Sequence, residues 1–171
     1  FNNVADIISL SELISTGFLV KPRFFVIDCD IRDDLAKVKV TTNDFDMNEV
    51  AAIMDKQVVT NRVLDEWTAK AGNRKTVMFC STVAHAEHVA EYFKLAGHKA
   101  DIIHGEMADG DRRRVLRAFD KGELQVLVNV AVLTEGWDCQ DVSCVVLLRP
   151  CSYKSTMIQM IGRGLRKVDP D

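Results

Sequence analysis

Four short apolar runs, none alternating regularly with polar residues, follow one another through the second half of this chain. They are Lys75-Thr-Val-Met-Phe-Cys80, Lys99-Ala-Asp-Ile-Ile103, Gln125-Val-Leu-Val-Asn-Val130 and Ser143-Cys-Val-Val-Leu-Leu148. A strand covered on both faces reads this way, whereas a half-solvated one alternates. Helical stretches separate the runs. Ala84 to Leu95 ends at Gly97, a C-cap, and Gly110 to Asp120 has Asp109 as its N-cap and Gly122 beyond its end. A last helix begins near Ser152 and runs into Gly162-Arg163-Gly164. Strands and helices in alternation predict an α/β fold, a parallel sheet in a three-layer α/β/α arrangement.

The first 70 residues are less regular. Ile7 to Ile14 reads as helical, Arg23 to Asp28 and Lys37 to Val40 read as strands, and Glu49 to Lys70 reads as one long or two broken helices. Residues 1–45 are expected to be the tail of a preceding unit and the passage out of it, with 46–171 the α/β domain. No initiator Met stands at Phe1, and no basic-then-apolar leader follows. The chain is therefore expected to be a piece of a longer protein.

No apolar run approaches the roughly 20 residues that a membrane-spanning helix needs. The five cysteines (Cys29, Cys80, Cys139, Cys144, Cys151) form no C-x-x-C pair, and most sit in apolar runs. They read as small hydrophobes of a reduced, cytoplasmic protein. His85 and His88 share a helix face at i, i+3, but no Cys or carboxylate cluster completes a metal site. The net charge of −3 is unevenly spread. Acids predominate from Asp28 to Glu66, while Val142 to Val168 holds Arg149, Lys154, Arg163, Arg166 and Lys167 and no acid. Arg112-Arg113-Arg114 with Arg117 forms a second basic run. Such concentrations suit an anionic ligand, although solvated helix faces account equally well for the 112–117 run.

Ligands of a parallel α/β sheet bind beyond the carboxyl ends of its strands. The residues found there are Ser81-Thr82, His104-Gly105-Glu106, Asn129-Val130 through Thr134-Glu-Gly-Trp-Asp138, and Arg149-Pro150. Small, polar and glycine residues thus recur where a backbone or a phosphate could approach. The densest signal is Gln159-Met-Ile-Gly162-Arg163-Gly164-Leu-Arg166. On a helix, Gln159, Arg163 and Arg166 fall on one face, and two adjacent guanidiniums call for an anion. Gly162 and Gly164 each weaken a helix by roughly 1 kcal/mol relative to alanine. A basic helix end favoured by the dipole explains the arginines, but not Gln159 and both glycines.

The order and spacing of these segments resemble the second RecA-like lobe of superfamily 2 helicases and translocases. Thr76-Val-Met-Phe-Cys-Ser-Thr82 resembles motif IV, and Ile103-His-Gly105 with Arg112, Phe119 and Gly122 resembles the signature that follows it. Val126 to Asp138 resembles motif V, and Gln159 to Arg166 resembles the Q-x-x-G-R-x-x-R of motif VI. The wording Leu-Thr-Glu-Gly-Trp-Asp and Gln-Met-Ile-Gly-Arg-Gly-Leu-Arg is similar to the DEAD/DEAH-like branch with type III restriction translocating subunits, XPB-like and RadD-like DNA repair proteins and phage helicases. Glu12 to Pro22 resembles the passage between lobes in that branch. Two departures set the chain apart from DEAD-box RNA helicases. Gln159 stands where they carry a His-Arg pair, and Val130 where they carry a threonine that touches RNA.

The resemblance implies roles for particular residues. Arg163 and Arg166 would be arginine fingers on the γ-phosphate of ATP bound with Mg²⁺ between two lobes. Gly136 and Asp138 would meet the ribose or couple the sites, and Gln159 would lie near the nucleotide. Ser81, Thr82, Gly105, Asn129 and Thr134 would face a nucleic-acid backbone, DNA in preference to RNA. Trp137, at a usually apolar position, reads as packing.

The sequence has no G-x-x-x-x-G-K-[ST] loop and no Asp-Glu pair after an apolar strand. The resemblance puts both, with the Mg²⁺ ligands, on a first RecA-like lobe, and the chain alone is expected to hydrolyse nothing. Three other readings are a non-catalytic nucleic-acid-binding module on the same fold, an RNA helicase lobe, and a flavodoxin-like nucleotide-binding enzyme. The last leaves the 159–166 motif unexplained and has no glycine-rich strand-to-helix turn in its support.

Overall fold

A computed structural model of the chain describes residues 10–41, 44–132 and 141–150, together with Met160 and Gly162. Helices α1 (Leu10–Ser15), α2 (Arg32–Leu35), α3 (Met47–Met54) and α4 (Gln57–Ala71) come first. Then follow β1 (Thr76–Phe79), α5 (Val83–Leu95), β2 (Ala100–His104), α6 (Asp109–Asp120), β3 (Val126–Val130) and β4 (Cys144–Leu147). All four strands are parallel, in the order β2-β3-β1-β4.

Alternation along each strand separates two cores. Met78 and Cys80 of the β1 segment, with Val126 and Val128 of β3, pack beneath α4 and α5 against Val63, Trp67, Val89 and Phe93. Val77, Phe79 and Leu127 face the other way, onto Val115 and Phe119 of α6. Helices on both faces of a parallel sheet make the three-layer α/β/α, RecA-like arrangement. Each strand is uninterruptedly apolar because each is covered twice.

The glycine helix stops behave as the sequence predicts. At the end of α5 the Gly97 N–H donates to Lys94 O and the His98 N–H to Phe93 O, with Gly97 at φ +90°. Gly122, at φ +74°, repeats the arrangement after α6 through Phe119 and Ala118. Only glycine takes this left-handed position without steric cost. Glu49 to Lys70 resolves into two helices, and the Asp46 carboxylate caps the first by accepting the Asn48 and Glu49 N–H groups.

Three expectations are corrected. Arg23–Asp28 forms no strand, and Phe24, Phe25 and Val26 are exposed. A β-rich composition makes no strand where no neighbour offers a hydrogen-bonding edge. Lys37–Val40 contributes only one antiparallel bridge, Val40 to Phe45. Asp109 is the first residue of α6, and Ala108 holds the N-cap position without a side-chain bond. The Asp109 carboxylate therefore acts on the helix dipole rather than as a cap. The expected last helix lies outside the described residues, apart from Met160 and Gly162, which are helical.

Val38 is buried in the α4–α5 core, and Ile27, Cys29, Ile31, Leu35 and Phe45 pack against it. Arg149 after β4 forms an ion pair with Asp44, which ties this N-terminal segment to the strand ends. Burial pushes the Cys80 thiol far up, and raises those of Cys29 and Cys144. All three are free thiols, suited to packing rather than to reaction. Asp65-Glu66, after Val63-Leu64, sits inside α4, where Glu66 pairs with Lys70 and Arg62.

Candidate nucleic-acid interface

Strand order fixes where a ligand can approach. From β1 the chain crosses over α5 to β2 at one edge, whereas from β3 it proceeds to β4 at the other edge. The exits of neighbouring strands β1 and β3 thus diverge, and a crevice opens beyond their carboxyl ends. Cys80-Ser81-Thr82 leaves β1 there, beside Val130-Ala131-Val132 leaving β3.

Ser81 is 7 % exposed, and its hydroxyl oxygen is buried without a hydrogen-bond partner among the described residues. Such a group is costly, by about 1–3 kcal/mol, unless something outside the chain satisfies it. Thr82 is the N-cap of α5, and its Oγ1 accepts the His85 N–H at 3.2 Å. Its hydroxyl proton remains available to an acceptor. The first-turn N–H groups of α5 point out of the helix end that Thr82 caps, as anion sites at helix N-termini require.

Gly105 follows β2. A β-carbon placed on it would meet nothing within 4 Å, so its own chain does not demand a glycine there. Arg112 of α6 reaches back to this loop, donating from Nη2 to the carbonyls of Gly105 at 3.0 Å and Met107 at 3.2 Å. The arginine of the 112–117 run closest to the strand ends is therefore a loop tie rather than a solvated charge. Arg114 pairs with Asp111, and Arg113 and Arg117 are exposed. Spacing alone marks Arg112 without assigning it a role. The usable signal was its position one helical turn into α6, seven residues after a strand-end glycine.

Asn129 is fully buried, and its Oδ1 accepts the Val132 N–H at 3.2 Å. Thr134, Gly136, Trp137, Asp138, Gln159, Arg163 and Arg166 lie outside the described residues. Met160 is buried against the α6 side of the sheet with Val77 and Phe79. A β-carbon on Gly162 would also find open space.

The two helix-face histidines have opposite surroundings. His85 is buried among Met54, Val59, Val63 and Leu148, and burial lowers its pKa, with Asp55 opposing. The His88 Nδ1 lies 2.7 Å from the Asp55 carboxylate, and that hydrogen bond raises its pKa. Among the described residues no group of His, Cys, Asp or Glu gathers as metal ligands, and no helix is long and apolar enough to cross a membrane.

Residues 57–168 match the helicase conserved C-terminal domain family. The chain belongs to that family. It is 30% identical over 158 residues to the putative ATP-dependent helicase IRC3 of Saccharomyces cerevisiae, covering 91% of this chain and 23% of that protein. It is 32% identical over 156 residues to the putative mitochondrial ATP-dependent helicase irc3 of Schizosaccharomyces pombe, covering 91% and 25%. The chain thus spans about a quarter of the length of these curated relatives. Among solved structures, the C-terminal domain of the DEAD-box protein Dbp5 matches 64% of each chain at 27% identity, with a TM-score of 0.55. A DEAD box protein from the hyperthermophile Methanococcus jannaschii matches 63% of this chain and 29% of its own, at 25% identity and a TM-score of 0.57. These findings place the domain in superfamily 2, whose members of this kind form part of larger ATP-dependent helicases.

Proposed function

We propose that this domain is the second motor lobe of an ATP-dependent DNA helicase or translocase. The observation that carries the reading is the buried Ser81 hydroxyl, unpartnered among the described residues, beside the Thr82-capped start of α5, at the crevice where β1 and β3 diverge. Ser81, Thr82 and Gly105, with Thr134, offer hydroxyls, N–H groups and open space to a sugar-phosphate backbone. Contacts of this kind hold a strand without reading its sequence. Val130 offers no hydroxyl at the place where DEAD-box proteins carry their RNA-touching threonine, which favours DNA.

The sequence has no phosphate-cradling loop, so ATP and Mg²⁺ would be held mainly by a first RecA-like lobe in the same longer protein. This lobe would contribute Arg163 and Arg166 at the γ-phosphate, with Gly136, Asp138 and Gln159 nearby. The guanidiniums would stabilise charge that develops as the phosphoryl group transfers, a contribution of about 10³–10⁵ in rate elsewhere. The domain alone would hydrolyse nothing. Residues 1–45 would be the passage from the preceding lobe, a strap whose second half packs on this core. The wording of motifs V and VI resembles that of the type III restriction, XPB-like and RadD-like branch, and supports a position there.

The test is Arg163→Ala and Arg166→Ala in the full-length protein, read as ATP hydrolysis with and without single-stranded DNA. Each should lower the stimulated rate by about 10³-fold or more while circular dichroism stays unchanged. Undiminished hydrolysis in both would overturn the assignment. Stimulation by RNA but not DNA would instead favour the RNA helicase reading, which the likeness to Dbp5, whose structure with RNA is known, supports.

A further inference from the structure

Asn129 is the one polar side chain in β3, and it lies fully buried in the centre of the sheet. Its backbone is in register with Phe79 on one side and Ile103 on the other, and its carbonyl accepts the Cys80 N–H at 2.9 Å. A buried amide is costly unless hydrogen-bonded. Here Oδ1 accepts the Val132 N–H, three residues along the chain.

Within that loop lies Ala131, at φ +57°. An L-residue with a β-carbon disfavours this left-handed conformation by about tenfold in population. It persists where the surroundings fix it, and functional sites are where such strain collects. The effect on the chain is a change of face. Val130 packs on the α4–α5 side of the sheet, as do Val126 and Val128. Val132 packs on the α6 side. Residues two apart on an uninterrupted strand share a face, so the turn at Ala131 has reversed the alternation. It does so at the crevice where β1 and β3 part.

We propose that Asn129 is a positioning residue. By taking the Val132 N–H it holds Ala131 left-handed and sets the face of the sheet on which the chain leaves β3 at Val132. The structural half of this stands on the turn itself, and its consequence for turnover rests on the motor-lobe reading. The assignment also explains why an amide interrupts an otherwise apolar run.

The experiment uses the full-length protein with oligo(dT) and ATP, comparing Asn129→Ala, Ala131→Gly and the two combined. Asn129→Ala should speed hydrogen exchange at the Val132 amide by about tenfold while Val126 to Val128 keep their protection. DNA-stimulated kcat should fall by a similar factor, with less change in KM for ATP. Adding Ala131→Gly should restore most of kcat, because glycine takes the left-handed conformation freely. Should Asn129→Ala fail to fold, Ala131→Val with Asn129 intact serves in its place. A β-branched residue resists the turn, so kcat should fall, and an unchanged kcat there overturns the proposal. Unchanged Val132 exchange in Asn129→Ala also overturns it, as does a loss of kcat that Ala131→Gly leaves untouched. If the unsubstituted protein shows no DNA stimulation, the motor reading fails, and Val132 exchange still decides whether Asn129 locks the turn.

Discussion

The indole N–H of Trp67 donates to the Thr76 hydroxyl across 2.9 Å, in a core where neither residue meets solvent. The Thr76 hydroxyl in turn donates to the Arg74 carbonyl at 2.9 Å, so one side chain completes both ends of a buried chain of bonds. Trp67 also stands edge-on to Phe93 at 5.2 Å between ring centroids. The pair therefore joins α4 to the first residue of β1. Thr76→Val should cost about 1–3 kcal/mol in chemical unfolding, since it keeps the volume and strands the indole N–H. Thr76→Ser should retain most of that stability. Equal costs for the two variants would show that packing rather than the hydroxyl matters.

The histidines of α5 should give the fold opposing pH dependences. His85, buried, has its pKa lowered below the usual value of about 6.5. As pH falls through that value the unfolded chain takes up a proton that the folded one resists, and stability is lost. His88 has its pKa raised by Asp55, so its contribution is full below about 6.5 and fades as pH rises through the folded value. His88 is largely exposed, so the effect is small. His88→Gln should therefore destabilise more at pH 6 than at pH 8, in urea midpoints measured at both. His85→Gln should flatten the loss of stability on the acid side. A His88→Gln cost independent of pH would remove the ion pair from the explanation.

From residue 74 to 132, and again over β4, the fold was legible, because each strand is doubly covered and so uniformly apolar, and because Gly97 and Gly122 mark helix ends. Before residue 74, local composition misled. Phe24, Phe25 and Val26 suit a strand, but strand formation depends on a neighbouring edge that no local pattern reveals. The same division holds at the site. That Ser81, Thr82 and Gly105 stand just beyond strand ends could be read from the apolar runs before them. The work of Arg112 and Asn129 consists of bonds to backbone groups in loops whose shape depends on the whole sheet.

Thr82 combines two tasks that substitution can separate. Its Oγ1 caps α5, and its hydroxyl proton faces the crevice entrance in the proposed reading. Thr82→Ala should cost about 1 kcal/mol of stability, as cap removal does, and weaken DNA binding. Thr82→Asp should keep the cap, since a carboxylate accepts the His85 N–H equally well. It should nevertheless weaken DNA binding more than alanine does, because it places a negative charge before a phosphate. Fluorescence anisotropy with labelled oligo(dT) measures this, and DNA affinity equal to wild type in Thr82→Asp would remove Thr82 from the interface.

Arg112 offers a way to disturb the proposed interface without touching it. One guanidinium nitrogen, Nη2, donates to two carbonyls of the loop after β2, from a side chain longer and more rigidly planar at its tip than that of lysine. Charge-assisted bonds of this kind contribute about 1.5–3 kcal/mol, and here they fix the backbone at Gly105. Arg112→Lys keeps the charge and so leaves long-range attraction to DNA intact. A purely electrostatic role predicts unchanged affinity and an unchanged salt slope. The tie predicts a weaker complex with the same salt slope, because the number of neutralised phosphates is the same while the loop that meets them has loosened. Titrations of oligo(dT) at several salt concentrations separate the two, and affinity unchanged in Arg112→Lys would reduce Arg112 to a surface charge.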